Sequence, residues 1–317
     1  MHNKHRSTWY NFWGQPQALY FVLGDILSRT AVNRITLQVQ EQIQAQCQTP
    51  IEATPPILII DGVWVSIQYS TGQFKIDRAG HRRQCRRAEE RVVLAAMAVW
   101  LDGSYHLLHF EVAENEDQSN WTTFFEHLID RGLDPEAVEL IVSDGSNGVP
   151  AVMEQLFPNA QQQRCITHKV RGMKRHLTYK NLPAVSKEKG SAENTLTPKK
   201  QRWRDIKTDA YAIYDAETYD EAQERRQAFV AKWQPLEPDA VHAFTWGIER
   251  TFSYYRFVAS LHSHLRTTNL LERLFREFRA KADEIGAFPN ETSCLTLFFV
   301  VVRREHAKHN RAFMAKT

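Results

Sequence analysis

The apolar positions change rhythm several times along the chain. Near its start, Leu19, Val22, Leu23, Ile26 and Leu27, then Val32, Ile35 and Val39, return at helical spacing on either side of "GDILSRT", which predicts two helices meeting at a turn. The second begins near Ser28, a good N-cap, and carries Arg29 with Asn33 and Thr30 with Arg34 outward, as a helix-turn-helix recognition helix does. A plain helical hairpin with one wet face fits the same pattern. After "TPP" at 54–56, "ILIIDGVWVSIQY" is a β-rich run, and "VVLAAMAVWLDGSYHLLHFEV" reads as two strands joined at Asp102-Gly103. Helical spacing returns in "SNWTTFFEHLIDRG", with Trp121, Phe124, Phe125 and Leu128 on one face and Gly132 as its stop. The strand "VELIVSD", a helix at "GVPAVMEQLF" and a short strand near "QQRCI" follow. The order β, β, β, α, β, α, β predicts an α/β protein with a mixed sheet flanked by helices.

Two stretches have no apolar period. "KIDRAGHRRQCRRAEER", Lys75 to Arg91, is dense in arginine and predicts an exposed loop or extension. Lys169 to Arg204 holds eleven Lys or Arg against two Glu and predicts a mobile basic excursion that leaves the sheet. Beyond it, Asp205 to Phe257 is helical and aromatic-rich, the pattern of an inserted helical module; Trp233 and Trp246 within it, and Trp203 just before it, are expected in helical core. The chain closes with "TTNLLERLFREFRAKADEIGAF" and a last helix from about Glu291. The expected organisation is a helical segment at 1–50, the first part of a core at 51–180, a basic and helical insertion at 181–259, and the final core helices at 260–317.

Composition narrows the class. Hydrophobic residues make up 43% of 317 positions and aromatics 11%, enough apolar matter for a sizeable core. The 40 basic and 37 acidic residues nearly cancel, so affinity for a polyanion must come from the clusters. Cys47, Cys85, Cys165 and Cys294 lie far apart without a CxxC pair, which argues for a reducing compartment rather than a disulfide scaffold. No signal pattern opens the chain, and "LTLFFVVV" is too short to span a bilayer, so a cytoplasmic location is expected.

Three acids stand out. Asp61 follows "ILII", Asp144 follows "LIVS", and Glu272 lies early in the helix of "TTNLLERLFREFR". Each has a structural alternative: Asp61-Gly62 is also a hairpin signal, Asp144 a βα-loop acid, and Asn269-x-x-Glu272 a capping-box spacing. Cys165 and His168 form C-x-x-H, half of a zinc site with no second half in reach.

Taken in order, the "IDG" strand, "RGLDPEAVELIVSDGSNGVPAVMEQLFPNAQQQRCITHKVRGM" and "LRTTNLLERLFREFR" resemble the Mutator-like superfamily of DDE transposases, including bacterial insertion-sequence members. The resemblance covers roughly residues 55–310. It implies an RNase H-like core with a helical insertion between the second Asp and the Glu, and it implies that Asp61, Asp144 and Glu272 are catalytic ligands of two Mg²⁺ or Mn²⁺ ions. It places Cys165 and His168 beside the active site as support. The implied activity is DNA cleavage at element ends and strand transfer into target DNA, by a homo-oligomer assembled on DNA and away from membranes. Arg29, Asn33, Arg34, Arg82, Arg83, Arg86, Arg87, Lys169, Arg171, Lys174 and Arg175 would contact the DNA. Such relatives have a longer region ahead of the core than residues 1–50 supply, so end recognition is expected to be reduced or shared with a partner. A DNA-binding or regulatory protein that keeps the fold without transposing is the alternative.

Overall fold

In the computed structural model, which describes residues 29–146, 148–180, 182 and 197–309, the apolar run at Ile57 opens a strand of 20 residues, β1 (Ile57–Ile76). It follows helix α1 (Arg29–Gln48) and pairs antiparallel with β2 (Arg82–Val99), from Ile57 opposite Val99 to Ile76 opposite Arg82. Strand β3 (Tyr105–Ala113) adds antiparallel to β2 after the turn in which Gly103 takes a positive φ of 82°. Helix α2 (Gln118–Asp130), β4 (Leu140–Ser143), α3 (Gly148–Leu156), β5 (Gln161–Arg164) and α4 (Ile166–Met173) complete the predicted alternation. The strands form one mixed sheet in the order β3-β2-β1-β4-β5. Helices α5 (Pro198–Tyr214), α6 (Tyr219–Trp233), α7 (Pro238–Thr245) and the single turn α8 (His262–Leu265) lead to α9 (Asn269–Ile285) and α10 (Glu291–His309). The predicted first helix and its Ser28 boundary lie outside the described residues. So do the side chains of Arg29 and Asn33, whereas Arg34 is exposed on α1.

Two expectations need correction. Asp61 neither ends a strand nor sits in a turn, because β1 runs straight through it with Asp61 opposite Ala95 and Gly62 opposite Leu94. The arginine-rich stretch, expected as an exposed loop or extension, is not the loop but the extension: it is the outer half of the β1–β2 hairpin. Both of its faces are exposed, so the apolar alternation that betrays a half-buried strand is missing.

The chain divides into two compact units. The first comprises the residues up to Ile141, Ser146–Ala160 and the residues from Thr268 onward; the second comprises Val142–Gly145 and Gln161–Thr267. In the first, alternation along the strands gives the sheet two apolar faces. Leu58, Ile60, Leu94 and Ala96 pack against Trp121, Phe124, Phe125 and Leu128 of α2 and Val149, Val152 and Met153 of α3. Phe110 reaches the opposite helices, with its ring 5.0 Å from Phe298 of α10, and Phe298 in turn meets Phe278 of α9 at 5.2 Å. Gly148 lets the start of α3 approach α2, since a Cβ there would lie 2.6 Å from backbone atoms of Asp117 and Gln118.

The second unit has its own aromatic core, where Phe244 sits 5.1 Å from Phe229 and Tyr214 sits 5.4 Å from Phe252. The buried Gln163 of β5 ties the strand to the 3-10 turns near Thr251, donating to Thr251 O at 3.0 Å and accepting from Tyr254 N at 3.0 Å. Trp233 is core as expected, but Trp246 is 72% exposed.

Candidate active site

Asp61 sits among Ile57, Ile59, Val63 and Val65, which alternate onto the same face of β1 and are at most 5% exposed. It is itself only 9% exposed. The pairing of Asp61 with Ala95 and of Ala95 with Phe110 places this acid on the face covered by α9 and α10. A carboxylate in an apolar row costs transfer free energy unless it is paired or bound. Asp61 Oδ1 accepts from Gly62 N at 2.9 Å. The glycine next to it is required for another reason: on the opposite face a Cβ would come within 2.7 Å of both Glu116 Oε1 and Val92 Cγ2.

Glu272 lies on α9, the helix over that face, in its first turn. The N-cap is Thr268 rather than the expected Asn269, which is the first helical residue and is exposed. Glu272 therefore falls one position beyond the capping-box site. Its backbone N–H donates to Thr268 O at 2.9 Å, and the Thr268 hydroxyl donates to Glu272 Oε1 at 3.1 Å. The capping explanation for this carboxylate is thus removed by a shift of one residue.

In the second unit, Asp144 directly follows β4 and is half-buried. Gly145 has a φ of +91°, and a Cβ there would lie 2.4 Å from Arg164 Nε, so the guanidinium stem of Arg164 crosses the backbone beside Asp144. The Cys165 N–H donates to Ser143 O at 2.7 Å, which fixes the start of α4 against the end of β4. Cys165 is the buried N-cap of α4 and His168 lies within its first turn, with Cys165 Sγ and a ring nitrogen of His168 within 4.8 Å of each other. The C-x-x-H spacing thus becomes one turn of helix beside Asp144. Arg164 escaped the sequence reading because an arginine at a short strand's end carries no pattern of its own.

The basic residues divide. Arg82, Arg83, Arg86 and Arg87 are exposed on the β1–β2 hairpin, and Arg171, Lys174 and Arg175 are exposed on α4 and the 3-10 turn after it. Lys169, expected among the DNA contacts, is instead buried. It is 3% exposed, and its ammonium donates to Ala243 O and Trp246 O, carbonyls at the end of α7. Ile166, Lys169, Val170 and Met173, at i, i+3, i+4 and i+7, face the core from α4, and composition alone does not reveal which lysine falls there. Burial, with Arg164 as a like-charged neighbour, pulls the Lys169 ammonium down to about 8. An unfolded lysine titrates near 10.4, so between about pH 8 and pH 10 the unfolded chain holds the extra proton and stability rises with pH. Because burial also raises the thiols of Cys294 and Cys47, which lowers stability over the same window, the readable signal is the difference: the parent's urea midpoint should gain on that of Lys169→Met as pH rises from about 8 to 10.

A further group appears on the α2 side of the sheet, where Glu111 Oε2 lies 3.1 Å from His109 Nε2 and 2.7 Å from His127 Nδ1. Burial raises the Glu111 carboxyl, yet the two imidazoles together hold it below its ordinary value. Among the described residues no helix is long and apolar enough to cross a membrane.

The family model described as "Transposase, Mutator family" matches residues 17–189 and 191–312. The chain is 28% identical over 283 residues to the transposase for insertion sequence element ISRM5 of Rhizobium meliloti (strain 1021), covering 89% of this chain and 62% of that one. It is 27% identical to the transposase for IS406 of Burkholderia multivorans, with 86% and 60% covered. It is 25% identical to the transposase for IS256 in transposon Tn4001 of Staphylococcus aureus, with 89% and 63% covered. The chain thus spans about three fifths of the length of these relatives. With the family's pattern matched over most of its residues, this chain belongs to the Mutator family of transposases.

Proposed function

We propose that the protein is a metal-dependent DNA transposase whose sheet is an RNase H-like core and whose catalytic carboxylates are Asp61, Asp144 and Glu272. The observation that carries this reading is the position of Asp61, a nearly buried acid in an otherwise apolar row of β1, on the face covered by the helix that bears Glu272. Family membership and the placement of Asp144 at the end of β4 support it.

Three carboxylates make a hard, all-oxygen donor set, which suits Mg²⁺ or Mn²⁺ and disfavours softer metals. Bound there, a pair of such ions would lower the pKa of an attacking water or 3′-hydroxyl and stabilise the leaving oxygen of a phosphodiester. The protein's own part is to hold the donors on rigid elements. Asp61 is fixed by ladder pairs on both sides of it, and Glu272 by the helix backbone and the Thr268 hydroxyl. Cys165 and His168 would shape the ground beside Asp144, and the exposed arginines would engage the DNA. Assembly as a homo-oligomer on paired element ends completes the proposal.

Supercoiled plasmid carrying candidate element ends should be nicked in Mg²⁺ or Mn²⁺ and left intact in EDTA. Ca²⁺, larger and looser in geometry, should support DNA binding with little cleavage. Undiminished nicking in EDTA would reject the carboxylate–metal reading.

A further inference from the structure

The β1–β2 hairpin outgrows the sheet that founds it. Strand β3 pairs with β2 only from Val92 to Val99, so the arm beyond Arg91 has two strands. Its base is held by the Phe288 backbone, which bonds Ser66 O and Gln68 N at 2.8 Å each, by Arg86 donating to Pro289 O at 3.1 Å, and by Tyr69 donating to Glu291. Beyond those anchors the ribbon continues through a bulge between Ser70 and Phe74 to the Asp77–His81 turn, roughly 20 Å at 3.3 Å per residue. The turn is built by Asp77, whose Oδ1 accepts from Ala79 N at 2.9 Å and His81 N at 3.0 Å while Oδ2 takes the Arg83 guanidinium. A lone two-stranded ribbon is marginal in water, and this one also exposes 50% of Phe74 and 75% of Ile76.

Its two faces differ in chemistry. The register puts Ile76 opposite Arg82, Phe74 opposite Gln84 and Ser70 opposite Arg86 on one face, and Lys75 opposite Arg83 and Tyr69 opposite Arg87 on the other. Arginine and glutamine are the side chains that grip guanine and adenine edges with two hydrogen bonds, and an aromatic suits the thymine methyl. The Arg82 guanidinium already stacks 3.9 Å from the Phe74 ring centroid, which orients its donors beforehand. A major groove about 12 Å wide admits a two-stranded ribbon, and its depth of about 8.5 Å brings the ribbon's upper face level with the phosphates.

Resting on the proposal above that the chain binds DNA, we infer that this hairpin lies in the major groove of duplex DNA, reading base edges with Arg82 and Gln84 and holding the phosphates at the groove walls with Lys75 and Arg87. The test is dimethyl sulfate protection of mixed-sequence duplexes by the full chain in Ca²⁺. Dimethyl sulfate methylates guanine N7 in the major groove and adenine N3 in the minor groove. The parent should shield guanine N7 at a subset of positions. Arg82→Ala with Gln84→Ala, on exposed side chains, should keep the parent's melting temperature and salt slope but lose that shielding. Lys75→Ala with Arg87→Ala, exposed side chains outside the turn, should keep the shielding and lower the slope of log affinity against log salt by about two. Unchanged N7 shielding in the Arg82/Gln84 variant, or shielding confined to adenine N3, overturns the inference while leaving DNA binding intact. Failure of the parent to bind any duplex overturns the DNA-binding proposal itself, and the hairpin inference with it.

Discussion

Glu272→Gln is expected to leave the fold intact and to reduce metal-dependent DNA cleavage by about a thousandfold or more. The two halves of that expectation have separate origins. Structurally, the side chain accepts one bond from the Thr268 hydroxyl at 3.1 Å, and a glutamine oxygen can accept it as well. The helix start does not rest on the carboxylate, because Leu271 N and Glu272 N both close onto Thr268 O at 2.9 Å. The melting temperature should therefore move by less than about 2 °C, the equivalent of roughly half a kcal/mol. Chemically, an amide lacks the charge that a hard cation requires. Losing several kcal/mol of charge stabilisation in the transition state corresponds to about three powers of ten in rate. Asn269→Ala serves as the control: as an exposed first helical residue rather than the N-cap, it should change stability little and leave cleavage in place. Cleavage by Glu272→Gln at close to the parent rate would remove Glu272 from the catalytic set.

How much of this was legible beforehand depends on the kind of signal each element carries. The β2–β3 hairpin at Asp102-Gly103 and the amphipathic face of α2 were readable because one side of each is buried and the other wet, which writes a period into the chain. The outer β1–β2 ribbon is wet on both sides and left no period, so its arginines looked like a loop. Asp61-Gly62 and Asp144-Gly145 are the same dipeptide with different causes. Gly145 needs a left-handed φ and room for Arg164, whereas Gly62 sits in a straight strand and needs only room for Glu116 and Val92. A dipeptide does not distinguish a turn from a close approach; only the neighbours in space do. Lys169 shows the same limit, since the carbonyls that receive its ammonium come from residues 243 and 246.

The largest effect on stability is expected from Glu237→Ala, in the helical unit and outside the proposed catalytic set. Glu237 precedes α7 and is fully buried, a setting that an isolated carboxylate does not tolerate. It is surrounded by donors: Oε2 accepts from Thr178 N at 2.7 Å and the Thr178 hydroxyl at 2.9 Å, and Oε1 accepts from Tyr179 N at 3.1 Å and Arg202 Nη1 at 3.1 Å. Tyr179 is the one non-glycine residue with a positive φ, 55°, among those described, and its conformation is held by that bond to its N–H. One carboxylate thus joins the segment after α4, the first turns of α5 and the start of α7. Removing it leaves a largely buried guanidinium and two backbone donors without their acceptor, a loss of about 3–5 kcal/mol. Glutamine keeps one acceptor oxygen but turns an NH₂ toward the remaining donors, for an intermediate loss of roughly 1–3 kcal/mol. Adding Arg202→Ala to Glu237→Ala should cost less than the sum of the two single changes, because the second substitution removes the charge that the first one stranded. Urea unfolding followed by tryptophan fluorescence reads all four variants, Arg202→Ala alone included, and a Glu237→Ala midpoint matching the parent's would show that the buried ion pair does not hold this unit together.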